Sequence, residues 1–214
     1  MKTTNELLTK EPQTNKRKKG RPLGYDPEET LEIAMNLFWA DGYDATSLDD
    51  ILNAANISKS SFYHMFGNKH QLFERCLTRY CDQQIAQIEK GVQQSSTGRD
   101  FIETFLHGLV DTVRKRNRHK RYIGCFVTNT IYEFNDRDAN ISKMISNVTT
   151  KFNELLQRAI KTGQSKGVIT KNKTPSALAH FLMSSIAGIR TMIHTQVEID
   201  QLDEIVDSTL AALD

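Results

Sequence analysis

The apolar residues of this chain recur at helical spacing from about residue 27 to residue 213. They fall three and four residues apart, and few segments show the alternation with period two that indicates a β-strand. Only four prolines and eleven glycines are available to interrupt these stripes. The pattern predicts an all-α protein of about nine helices.

The stretch from 46 to 66, TSLDDILNAANISKSSFYHMF, predicts two short helices joined by a tight turn. Thr46 is expected to cap the first helix, with Asp49 three residues later completing a capping box. Asn56 stands at the turn, where the chain needs a left-handed conformation that asparagine tolerates better than most residues. Ser58 is expected to cap the second helix. This arrangement is a helix-turn-helix pattern.

The second of these helices keeps a polar, donor-rich face after its apolar residues have turned inward. That face is Lys59, Ser60, Ser61, Tyr63 and His64. The N-terminal end of a recognition helix approaches base edges in the major groove, and these side chains suit that task. An ordinary αα-hairpin gives the same spacing, so both interpretations stay open from these residues alone.

This stretch and its flanks resemble the TetR family of one-component transcriptional regulators. The resemblance is strong over roughly residues 27 to 80, and beyond that rests on length and helical layout. It departs from the family at Asn56, where glycine is usual. The matching segments are the helix starting near Pro27, Asp41-Gly42-Tyr43, Thr46-Ser47-Leu48, the block from Ser58 to Phe66, Asn68-Lys69 and Leu72-Phe73.

The resemblance implies three segments: a flexible basic arm (1–25), a three-helix helix-turn-helix DNA-binding domain (26–72) and a helical sensor and dimerisation domain (73–214). It also implies a homodimer paired through the two C-terminal helices. Lys69 stands where the family commonly has a phosphate-contacting lysine, although a solvated surface lysine is the alternative. The DNA contacts expected in this domain are Thr46, Ser47, Lys59, Ser60, Ser61, Tyr63, His64 and Lys69.

Positive charge is concentrated at the N-terminus. Residues 1–24 carry a net charge of +5, compared with +2 for the whole chain. The segment KRKKGRPLGY resembles an AT-hook, which follows the minor groove, where A·T tracts attract arginine. A solvating tail is the alternative. The expected contacts are Lys16, Arg17, Lys18, Lys19 and Arg21.

The segment 122–134, YIGCFVTNTIYEF, is apolar with a few polar residues, which is typical of a ligand-pocket wall. The candidate ligand and sensor residues are Cys125, Phe126, Asn129, Phe105, Met183 and Ile186. Gly124-Cys125-Phe126 resembles the Gly-Cys segment of electrophile- and oxidant-sensing TetR-type repressors, such as the N-ethylmaleimide reductase repressor. The basic run at 114–121 is expected to lower the pKa of Cys125. A buried, inert cysteine is the alternative.

Several classes of protein are disfavoured. The odd set of three cysteines indicates free thiols in a reducing cytoplasm. The apolar run 177–193 is broken by polar residues, including Arg190, so we expect a buried helix and no membrane contact. We find no residue spacing for a metal, a cofactor or catalysis. We therefore expect a dimeric DNA-binding regulator that acts as a repressor and is released from its operator by a small apolar or electrophilic effector. A constitutive architectural DNA-binding protein is the alternative.

Overall fold

The computed structural model describes residues 26–115, 123–134, 137–195 and 197–214. Within these ranges it contains nine α-helices and no strand, which confirms the all-α prediction. The predicted arm contacts from Lys16 to Arg21 lie outside the described residues. The helices are α1 (Pro27–Asp41), α2 (Leu48–Ala55), α3 (Lys59–Phe66), α4 (Lys69–Gln94), α5 (Gly98–Arg114), α6 (Phe126–Phe134), α7 (Ala139–Ser165), α8 (Pro175–His194) and α9 (Ile199–Ala211).

The start of α2 differs by one residue from the prediction. Ser47, not Thr46, is the N-cap: its hydroxyl accepts the N–H of Asp50 at 3.1 Å, and the Asp50 carboxylate accepts the N–H of Ser47 at 2.8 Å. Thr46 is only 3% exposed, and its hydroxyl donates to the carbonyl of Gly42 at 2.6 Å. The capping box therefore pairs Ser47 with Asp50, because the Thr46 hydroxyl is already bonded to the preceding turn.

The turn between α2 and α3 has the predicted geometry. Asn56 adopts φ 51° and ψ 47°, the left-handed conformation that ends many helices. Ile57 is buried behind it, and the hydroxyl of Ser58 accepts the N–H of Ser61 at 3.1 Å. The caps on both sides fix the angle at which α3 leaves the turn.

The N-terminal core is aromatic and extends beyond the first three helices. Phe73 of α4 packs edge-on against Phe38 of α1 and stacks on Phe134 of α6, with ring centroids 5.1 Å apart in each pair. This core includes α4 as far as Cys81. The predicted domain boundary between residues 72 and 73 falls inside this continuous helix and stays a prediction.

The C-terminal core is formed by α5, α7, α8 and α9. Gly98, the first residue of α5, lies against α7 so closely that an added Cβ would stand 1.7 Å from the carbonyl oxygen of Ala159. Only glycine fits this contact. By length and composition α8 could cross a membrane, but one face of it is buried in this core through Leu178, Leu182, Ile186 and Ile189.

Candidate nucleic-acid interface and effector cavity

The outward face of α3 is polar and basic. Phe62 and Phe66 are buried in the N-terminal core, which fixes the rotation of the helix. On the opposite side Lys59, Ser60 and His64 are exposed and Tyr63 is 47% exposed. No acidic residue occurs within α3. Hydroxyl, imidazole and ammonium groups therefore cover one accessible face, where they can donate to phosphates and base edges.

Ser61 and Ser47 both use their hydroxyls in helix caps. The Ser61 hydroxyl is half-buried and 2.9 Å from that of Ser58, so part of its hydrogen-bonding capacity serves the cap. Ser47 is exposed, and its hydroxyl donates to Asp50 at 2.6 Å. Thr46 corrects the prediction: its side chain turns inward and cannot contact DNA in this conformation.

Lys69 reaches back to the turn between α1 and α2. Its ammonium donates to the carbonyls of Tyr43 at 2.7 Å and Thr46 at 2.8 Å, and lies 4.2 Å from the centre of the Tyr43 ring. Lys69 therefore fastens the start of α4 to the turn before α2. The ammonium has three N–H donors, and the two carbonyls use two of them. The phosphate contact expected for Lys69 stays a prediction and would use the third.

A cavity of about 200 Å³ lies between α4, α5, α6, α7 and α8. Four of the six predicted sensor residues line it: Cys125, Phe105, Met183 and Ile186. Most of its wall is apolar, and the polar groups of Tyr80, Thr128 and Arg190 lie in the same wall. This is the composition of a small-molecule site.

Phe126 and Asn129 do not line this cavity, contrary to the prediction. Phe126 is buried in the N-terminal core, edge-on to Phe73 and Tyr80 at 5.5 and 5.6 Å. The Asn129 amide donates to the carbonyl of Ile123 at 2.7 Å, on the side of α6 that faces α1. Residues 126–134 form the helix α6, so side chains adjacent in sequence point to different faces of it. The prediction treated residues 122–134 as a single wall and therefore did not separate these faces.

Sequence reasoning missed Tyr80 and Arg190 as residues of the cavity. Tyr80 belongs to the apolar stripe of α4, and its hydroxyl donates to the sulfur of Cys125 at 3.6 Å. The sequence places Arg190 within the apolar run of α8 but does not indicate that it borders the cavity. A lone cation within an otherwise apolar helix was the signal that could have identified it.

The three cysteines lie in different environments. Burial raises the pKa of Cys76 and of Cys81 to about 12. Burial also raises the pKa of Cys125, but the charge of Arg190 and hydrogen bonds from Thr128 and Tyr80 outweigh it, so the pKa lies below its ordinary value. The basic run at 114–121 was expected to lower this pKa, and its residues 116–121 lie outside the described residues. The cation that acts on Cys125 in the described part of the chain is Arg190.

Two contacts join α6 and its preceding loop to α1 and the turn between α1 and α2. The indole N–H of Trp39 donates to the carbonyl of Gly124 at 3.1 Å. At the other end of α6, Glu133 accepts the backbone N–H groups of Tyr43 and Asp44. The cavity wall is thus held directly against the turn that precedes α2.

The outer surface of α8 and α9 retains large apolar side chains. Phe181 and Met192 are each 41% exposed, and Gly188 between them leaves the helix backbone accessible. A shallow groove between the two helices is lined by Phe181, Ser185 and Ile205, among others. This surface is suited to close packing of another helix.

Two family models match the chain. Bacterial regulatory proteins of the tetR family match residues 31–76, and the Tetracyclin repressor-like C-terminal domain matches residues 99–212. The HTH-type transcriptional repressor ComR of Escherichia coli (strain K12) is 26% identical over 205 residues, which is 95% of this chain and 96% of ComR. The uncharacterised HTH-type regulator YezE of Bacillus subtilis (strain 168) is 24% identical over 196 residues, 91% of this chain and all of YezE.

Solved structures show the same fold. A cysteine mutant of the TetR family regulator CifR, complexed with 26-bp operator DNA, has a TM-score of 0.77 at 23% identity and covers 91% of this chain and all of CifR. The reduced form of E. coli NemR has a TM-score of 0.77 at 17% identity and covers 88% of this chain and 97% of NemR. The C-terminal family model alone matches more than half of the chain, and this chain therefore belongs to the TetR family of bacterial regulatory proteins.

Proposed function

We propose that this protein is a dimeric cytoplasmic transcriptional repressor that binds a near-palindromic operator and leaves it when the C-terminal domain responds to an effector. The observation that carries the proposal is the outward face of α3, with Lys59, Ser60, Tyr63 and His64 exposed on a helix without an acid. The repressor role is supported by ComR, which is named as a repressor and aligns along nearly the whole chain.

The dimer is proposed to form through α8 and α9. Twofold pairing would cover the exposed Phe181 and Met192 and the groove beside Ile205. It would also present two copies of α3 to half-sites about 34 to 36 Å apart, or a multiple of that distance, as the DNA helix requires.

Release from the operator is proposed to start in the cavity beside Cys125. Helix α4 has 26 residues and spans about 39 Å, from Lys69 near the DNA-binding face to the cavity wall and beyond. Effector binding, or covalent modification of Cys125, would favour an arrangement of α4 and α6 in which the two recognition helices no longer fit the half-sites. Such release is a population shift.

The alternative is an architectural DNA-binding protein without an effector. The cavity between α4 and α8 favours the regulator, because a purely architectural protein has no use for a mainly apolar space bordered by one cation and one thiol. The two functions differ in whether any small molecule or thiol reagent changes DNA affinity.

A mobility-shift titration on the DNA flanking the gene tests the proposal. The wild type is expected to bind one near-palindromic segment, and the double variant K59A/Y63A to lose at least tenfold in affinity for it. The variant K90A, at an exposed position near the far end of α4, serves as the matched control and should bind like the wild type. No preference for any flanking segment, or equal binding by all three proteins, would contradict the proposal.

A further inference from the structure

The cavity beside Cys125 carries one formal charge. Among the described residues that line it, Arg190 is the only cation, and none is an aspartate or a glutamate. The rest of the wall is mostly aliphatic and aromatic, from Ile88 and Phe105 to Phe152. The charge of Arg190 acts on both the Cys125 thiol and the Tyr80 hydroxyl. The cavity thus has one cationic end and one apolar end.

Arg190 differs from the other described arginines in its partners. Five of them pair with carboxylates: Arg79, Arg99, Arg114, Arg137 and Arg158. A sixth, Arg75, donates to the carbonyl of Met65 at 3.0 Å. For the Arg190 guanidinium no hydrogen bond or ion pair occurs in the part of the chain that the structure describes. A half-buried guanidinium without a carboxylate is poorly compensated, and a planar carboxylate is the group it binds best.

The size of the cavity limits what can accompany that carboxylate. An engineered apolar cavity of about 150 Å³ accommodates benzene. The cavity here measures about 200 Å³, which leaves room for a ring with one or two further carbons. Larger amphiphiles would need the walls to move.

We propose that the cavity binds a small apolar monocarboxylate, with the carboxylate against Arg190 and an apolar body of about seven carbons directed toward Phe105 and Phe152. The inference rests on the proposed function insofar as this molecule acts as the effector. The proposal requires the ligand to be an anion because of Arg190. The apolar wall alone would suit a neutral molecule equally well. Binding is noncovalent and does not require Cys125 to react.

Titration calorimetry on the full chain tests the proposal with two compounds of matched shape, 4-methylbenzoate and 4-methylbenzamide. The wild type is expected to bind the carboxylate at least tenfold more tightly than the amide. In R190Q this preference should disappear through loss of carboxylate affinity, and R190K should retain part of it. The control R158Q, which removes an exposed arginine outside the cavity, should behave like the wild type.

Equal binding of the two compounds to the wild type, or no binding of either, overturns the proposal, and this comparison does not depend on any variant folding. A preference that survives in R190Q overturns it as well. Operator binding without either compound reports separately on the proposed function. If the protein binds no DNA yet keeps the Arg190-dependent preference, the regulator role fails while the ligand class stands.

Discussion

The carboxylate of Glu133, in the last turn of α6, accepts the backbone N–H of Tyr43 at 2.9 Å and that of Asp44 at 2.7 Å. Those two amides lie in the turn between α1 and α2, about ninety residues away in sequence. The same helix lines the cavity beside Cys125 through Val127, Thr128 and Ile131. Helix α6 therefore touches both the cavity and the DNA-binding domain, so α4 is not the sole physical connection between them.

Replacing Glu133 tests the contribution of this contact to stability. E133A leaves two amide donors without their acceptor, so we expect the free energy of unfolding to fall by about 2 kcal/mol. E133Q retains one carbonyl acceptor and should lose about half as much. Urea denaturation measures both. E103A, at an exposed glutamate of α5, is the control and should change stability by less than about 0.5 kcal/mol; equal effects in E133A and E103A would refute the contact.

Alanine variants of Lys69 and Lys59 should distinguish a lysine that stabilises the fold from one that contacts DNA. K69A removes two hydrogen bonds to carbonyls and the contact with the Tyr43 ring, so we expect it to lower the free energy of unfolding by about 2 kcal/mol and to weaken binding to all DNA sequences alike. K59A removes an exposed side chain and should leave stability unchanged while altering base preference. Urea denaturation and mobility shifts on operator variants measure the two effects. Two lysine variants with the same stability would contradict the structural role of Lys69.

Much of the fold could be predicted because local signals and burial agree. Asn56 at the turn and Ser58 before α3 each satisfy one backbone requirement, and the structure uses both as predicted. Local signals did not decide whether Thr46 or Ser47 caps α2. Two adjacent hydroxyl residues both had an acid three positions later, and only the preceding turn, through the carbonyl of Gly42, decides which of them is the cap.

The cavity was less predictable, since its wall comes from five helices. Phe105, Met183 and Ile186 were predictable because residues of wide apolar faces often border internal space. Phe126 and Arg190 were not, because their roles depend on how α6 and α8 are rotated about their axes. That rotation is fixed by tertiary contacts, and no spacing within one helix reports it.

The N-terminal arm should contribute broadly to DNA affinity through its charge. Deleting residues 1–24 removes the predicted contacts from Lys16 to Arg21, and with them up to five displaced counterions. The slope of log affinity against log salt should therefore become shallower by about 4, with weaker binding to every sequence. Deletion of residues 1–13, which contain two lysines and two glutamates, is the control and should leave the slope unchanged. If both truncated proteins keep the wild-type slope, the arm does not contact DNA.

Cys125 should react with electrophiles at a pH where the other two thiols do not. The thiolate is the nucleophile, and an ordinary free cysteine has a pKa of about 8.5. Since the pKa of Cys125 is lowered by the charge of Arg190 and by hydrogen bonds from Thr128 and Tyr80, its alkylation rate should reach half its maximum at a lower pH than that of an ordinary free cysteine. R190Q removes the cation that lowers this pKa, so the midpoint should move to higher pH. Cys76 and Cys81, with pKa values of about 12, should stay unmodified at neutral pH.

Mass spectrometry of iodoacetamide adducts across pH 5 to 10, a range chosen to bracket the ordinary thiol pKa of about 8.5, measures the three rates. Mobility shifts before and after N-ethylmaleimide then connect reactivity to function. Modification of Cys125 adds bulk at the wall shared by Tyr80 and Arg190, so we expect the wild type to lose operator affinity and C125S to retain it. Equal release of both proteins by the reagent, or release of neither, would exclude Cys125 as the sensor. The noncovalent carboxylate site at Arg190 would then be the remaining route by which this cavity controls DNA binding.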